Sequence, residues 1–124
     1  MAVILAYELT REKAELLKQL GQKTKAEIKL VPVSSYGETL GYLAGISGFR
    51  RNGKGGAAFG QEMLVFSGMD EDSLDQFLEE WKQGGLPAPG LKAVITPHNI
   101  FWNSTQLFEE LKKEHAAMNR QQPR

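Results

Sequence analysis

The chain writes one pattern twice. Val3-Ile4-Leu5-Ala6-Tyr7 followed by Thr10 to Leu17 reads like Met63-Leu64-Val65-Phe66-Ser67 followed by Asp70 to Phe77. Further on, Ile28-Lys29-Leu30-Val31 answers to Leu91-Lys92-Ala93-Val94, and Leu40 and Leu43 answer to Phe108 and Leu111. Each half therefore runs strand, helix, strand, helix, which constrains the fold to the α/β class. Short, apolar, β-branched strands suit a parallel sheet buried on both faces. Right-handed crossovers, with the strands that open the repeats side by side, predict a four-stranded, mostly parallel sheet in the order 2-1-3-4, with helices on both faces. Strict alternation of strand and helix disfavours the rival ferredoxin-like arrangement.

Local signals set the boundaries. Thr10 is an N-cap, and Ala14, Leu16, Leu17 and Leu20 line one face of the first helix until Gly21 stops it. The second strand is read as Glu27–Val33, and Ser35-Tyr36-Gly37-Glu38 as a capping box opening a glycine-weakened second helix. The third strand spans Glu62–Phe66. Asp70 then caps a helix whose Leu74, Phe77, Leu78 and Trp81 form the clearest amphipathic stripe in the chain. The fourth strand, Leu91–Thr96, ends at Pro97, and the last helix runs from Ser104 to about Ala117, with Leu107, Phe108, Leu111 and His115 inward. One domain thus holds a first repeat at about 1–46, a Gly-rich loop at 45–60, a second repeat at about 61–118 and a polar tail at 119–124. The loop, with six glycines around Arg50, Arg51 and Lys54, reads as a flexible basic linker.

Composition removes several function classes. The 124 residues contain no cysteine, which excludes disulfides, thiol catalysis and cysteine-ligated metal. Met1 to Leu5 lacks the basic start of a signal peptide, and no apolar run approaches the ~20 residues that span a bilayer, so a soluble cytoplasmic protein is expected. Net charge is zero, but residues 1–60 carry nine Lys and Arg against five Asp and Glu, and residues 61–124 carry six against ten. Such a balance argues against nucleic acid as a partner and suits a protein partner or a second copy of the chain.

Met63-Leu64-Val65-Phe66 with Gly68, Leu74 and Leu78 leads to the pattern Lys92-Ala93-Val94-x-Thr96-Pro97-x-Asn99-x-x-Trp102, closing on Glu109-Glu110-Leu111 and Glu114-His115. In these residues the second half resembles an uncharacterised bacterial family, domain of unknown function 3783. The resemblance implies that the first half is a diverged copy, and it brings no activity with it.

No catalytic signature, cofactor motif or metal-ligand spacing stands out. Gly48 to Lys54 has the glycine-to-lysine spacing of a P-loop, but Gly55 stands where the magnesium-binding hydroxyl belongs, and no strand precedes it. His98 and His115 lack metal-ligand spacing. Open parallel sheets bind ligands at the C-terminal edge of their strands, which here designates Glu8, Ser34, Ser35, Ser67, Gly68, Thr96, His98 and Asn99. Against this, Asn99 also suits a turn-forming role and Trp102 a plug at the sheet edge. The expected function is a small non-enzymatic regulatory or protein-interaction module. A sensor of small ligands or anions at the strand edge comes second, and an enzyme third.

Overall fold

The computed structural model describes residues 2–121. Its elements are β1 (Val3–Tyr7), α1 (Arg11–Thr24), β2 (Glu27–Leu30), a 3₁₀ turn at Val33–Ser35, α2 (Leu40–Leu43), β3 (Met63–Ser67), α3 (Glu71–Gln83), β4 (Leu91–Val94) and α4 (Ser104–Gln121). The four strands form one sheet in the order β2-β1-β3-β4. Two of its pairings are parallel, β1 with β2 and β3 with β4. The central pair, β1 with β3, is antiparallel, where like-directed strands were expected.

The reversal is read from the register of the central pair. Val3 pairs with Ser67, Leu5 with Val65 and Tyr7 with Met63. The sequence equates Val3 with Met63, Leu5 with Val65 and Tyr7 with Ser67. The register of the central pair is that of a half-turn about an axis normal to the sheet, between Leu5 and Val65. A half-turn of that kind reverses strand direction and preserves faces. With right-handed crossovers, α1 and α3 must then share a face. They do. Ile4, Ala6, Leu64 and Phe66 pack with Leu17, Leu20, Phe77 and Trp81 on one side. Val3, Leu5, Tyr7, Met63 and Val65 pack with Tyr36, Leu40 and Leu107 on the other.

The α3 stripe buries Phe77 and Trp81 completely, which contributes about 2–3 kcal/mol for each ring. The indole N–H of Trp81 donates to the Leu86 carbonyl at 3.1 Å, so no polar atom of the ring is stranded. Thr10 and Asp70 both cap as expected, their side-chain oxygens accepting from the N–H of Lys13 at 3.3 Å and Ser73 at 2.8 Å.

Several local expectations change. β2 stops at Leu30 and not Val33, β4 stops at Val94 and not Thr96, and His115 is exposed, not inward. The second helix is a single turn capped by Thr39, which accepts from the Tyr42 N–H at 3.1 Å, and not by Ser35. A reciprocal capping box opens α4 instead, between Asn103 and Gln106. Lys29 and Lys92, equated by sequence, are offset by one position, since Lys29 pairs with Leu5 and Lys92 with Leu64. A one-residue offset in a strand changes face, so Lys29 reaches the Leu43 carbonyl on the α2 side while Lys92 lies on the α3 side. Of the predicted polar tail, residues 119–121 belong to α4 and 122–124 lie outside the described residues.

Candidate functional site

The antiparallel central pair divides the candidate residues between two places. Because Val3 lies opposite Ser67 and Tyr7 opposite Met63, β1 and β2 end where β3 and β4 begin. Glu8, Ser34 and Ser35 follow strands at one end of the sheet; Ser67, Gly68, Thr96, His98 and Asn99 follow strands at the other. The single ligand-binding edge expected for a parallel sheet is therefore two separate edges. Nor do the helix N-termini converge: α4 begins over the sheet itself, where the Ser104 hydroxyl lies 2.7 Å from that of Tyr7.

At the first end, Glu8 has a left-handed backbone (φ 57°), and its carboxylate accepts three hydrogen bonds: from the Tyr36 hydroxyl at 2.9 Å, the Phe59 N–H at 2.7 Å and the Gly60 N–H at 3.0 Å. Glu38, only 3% exposed, accepts from the N–H groups of Asn52 at 2.7 Å and Gly53 at 2.9 Å. The Gly-rich loop forms no helix or strand, yet two carboxylates fasten its backbone, and Phe59 is stacked between Tyr36 and Phe108. Arg50, Arg51 and Lys54 remain exposed around those anchors. The N–H groups that a phosphate would require at Asn52 and Gly53 are thus occupied by Glu38. Burial pushes the phenols of Tyr7 and Tyr36 well above the usual tyrosine range. The hydrogen bond from Tyr36 to Glu8, with the charge of that carboxylate, raises Tyr36 further.

At the second end, the side chain of Asn99 is 8% exposed, and its oxygen and nitrogen are each hydrogen-bonded. Its oxygen accepts from the Thr96 N–H at 2.9 Å and its nitrogen donates to the Val94 carbonyl at 3.0 Å. The Thr96 hydroxyl accepts from the N–H groups of His98 and Asn99, each at 3.2 Å. This is a self-satisfied turn, the structural role weighed above against ligand binding. His98 is exposed, its ring edge-on to Trp102.

The turn borders a feature the sequence did not disclose. β4 is an edge strand. The Ile95 N–H bonds inward to the Phe66 carbonyl, so the N–H and C=O groups of Lys92 and Val94 point away from β3. Both helical layers overhang this edge and leave a groove of about 440 Å³ with β4 as its floor. Leu74 and Leu78 form its α3 wall; Trp102, Leu111, Glu110 and Glu114 form its α4 wall. Val94 is 41% exposed in the middle. Leu74, Leu78 and Leu111 read as core residues from helical periodicity alone. Only the edge position of β4, a property of strand order, leaves them half-covered.

Among the described residues no three of His, Cys, Asp and Glu converge as a bound metal ion would require, and no helix is long and apolar enough to cross a membrane.

Residues 62–118 match a family described as Domain of unknown function (DUF3783). The match covers a little under half of the chain, from the start of β3 into α4, and so contains the whole groove. No curated protein and no solved structure matches the chain.

Proposed function

We propose that this chain is a non-catalytic, cytoplasmic interaction module whose docking surface is the groove along β4, and that its first half is a diverged copy of the matched half. The observation that carries the reading is the coincidence of outward-pointing backbone groups, the N–H and C=O of Lys92 and the N–H of Val94, with apolar walls on both sides. An open strand edge is a template for pairing, and natural proteins blunt it unless it serves one. An extended segment of a partner, added as a fifth strand, satisfies those groups and covers Val94, Leu74 and Leu78. The anion-sensor alternative draws less support, because its hydroxyls lie at opposite ends of the sheet and Asn99 is already satisfied.

Val94→Pro tests this directly. The Val94 N–H points outward, so proline removes a docking group and leaves the β3 ladder intact, as edge positions tolerate. The tagged wild-type chain should retain a partner from its own cells, with Lys92 and Val94 amides protected from hydrogen exchange in the complex. V94P should fold and lose that partner. A partner retained by V94P docks elsewhere, and the reading fails.

A further inference from the structure

Resting on that reading, we infer that the segment taken up by the β4 groove is an extended stretch of another polypeptide with apolar side chains on one face and Lys or Arg on the other. The two walls differ in chemistry. Side chains alternate across a sheet, so an added strand sends every second residue to the α3 side and the others to the α4 side. The α3 wall presents Leu74 and Leu78, which call for aliphatic or aromatic partners. The α4 wall presents Trp102 and Leu111 with the carboxylates of Glu110 and Glu114. These two stand four residues apart on α4 and so share one helical face.

A long cationic side chain is complementary to that wall. Its methylene stem covers Trp102 and Leu111 while its charge reaches the carboxylates. The cations already nearby compete little. Lys92 turns its ammonium to the Pro89 carbonyl at 3.0 Å, toward the turn before β4. Lys113 lies 3.5 Å from Glu110 in a pair that is mostly in solvent, which a desolvated partner displaces at small cost. Lys112 is engaged over the Phe108 ring. Asn99 already occupies the Val94 carbonyl and the Thr96 N–H, so pairing is confined to Lys92 and the Val94 N–H. So short a ladder leaves selectivity to the side chains, and charge decides between segments of equal hydrophobicity.

The probes are two short fluorescent peptides, one alternating Val with Lys and Arg, the other alternating Val with Glu, each also made with N-methylated backbone amides. The cationic peptide should bind about tenfold more tightly at low salt, lose most of that advantage at high salt, and fail to bind when N-methylated. Glu110→Lys with Glu114→Lys should reverse the preference without changing the unfolding midpoint by more than a few degrees. Equal binding of both peptides, abolished by N-methylation, overturns the charge assignment and leaves strand docking standing. Failure of every peptide overturns the docking reading itself. Dimerisation of the free chain, blocked by V94P, makes a second copy the occupant and overturns the inference.

Discussion

The side-chain amide of Asn99 lies against the outer edge of β4 as the N–H and C=O of one residue in a parallel neighbouring strand would, 3.0 Å from the Val94 carbonyl oxygen and 2.9 Å from the Thr96 nitrogen. Removing it strands one acceptor and one donor beside the apolar groove. Asn99→Ala should therefore destabilise the fold by about 1–3 kcal/mol. In urea the unfolding midpoint falls with the slope unchanged, and the Thr96 amide loses its hydrogen-exchange protection. Retained protection at Thr96 would show that Asn99 does not close this edge.

The anchors of the Gly-rich loop make a second prediction. Glu38→Ala removes the acceptor for the Asn52 and Gly53 N–H groups, between the trypsin sites Arg51 and Lys54. Cleavage at Arg50, Arg51 and Lys54 should accelerate about tenfold, while the far-ultraviolet circular dichroism stays unchanged. The factor corresponds to losing about 1.4 kcal/mol from the closed form of the loop. Wild-type rates in E38A would mean that glycine content alone governs the segment.

How far the sequence could be read follows from which forces are local. The presence of four strands, the α3 stripe and the caps at Thr10 and Asp70 rest on periodicity and neighbouring hydrogen bonds, and all were legible, whereas β2 and β4 end earlier than their apolar runs suggested. Strand order was legible too, because each strand–helix–strand stretch opens on its most apolar strand, and the sheet buries those two, β1 and β3, at its centre. The direction of β3 was not, since a half-turn about the sheet normal and one along the strands leave the same linear pattern. That single choice separated Ser34 and Ser35 from Thr96 and Asn99. The partners of Glu8 and Glu38 are 51 and 14 residues or more distant for their backbone contacts at Phe59 and Asn52, so no local rule predicts them. The groove was invisible for a related reason: Leu74 and Leu78 look like core until the strand beside them proves to be the last.

Alkaline pH should unfold the protein through its buried phenols. Tyr7 and Tyr36 have pKa values raised above the unfolded value of 10.0, chiefly by burial. A raised acid is held protonated in the folded state, so its contribution is fully present below pH 10 and is lost as pH climbs from there toward the folded values. In a Tyr42→Phe background, phenolate absorbance should rise only together with loss of circular dichroism. Tyr36→Phe in that background keeps the ring between Tyr7 and Phe59 and should shift the transition to higher pH. Phenolate appearing in a protein that is still folded contradicts this account.

Glu8 follows β1 and Gly68 follows β3, and both have a left-handed backbone, with φ of 57° and 72°. Glycine takes this conformation freely, whereas an L-residue with a side chain pays about 1–2 kcal/mol. Glu8 bears that strain because its carboxylate receives the Tyr36 hydroxyl and the Phe59 and Gly60 N–H groups, tying the loop to the first end of the sheet. Two substitutions separate the terms. Glu8→Ala loses the hydrogen bonds and keeps the strain; Glu8→Gly loses the hydrogen bonds and relieves it. Both should be less stable than the wild type in urea, with Glu8→Gly above Glu8→Ala by about 1 kcal/mol. Gly68→Ala should lose a similar amount without affecting the loop. If Glu8→Ala matches Glu8→Gly, the left-handed backbone carries no cost there.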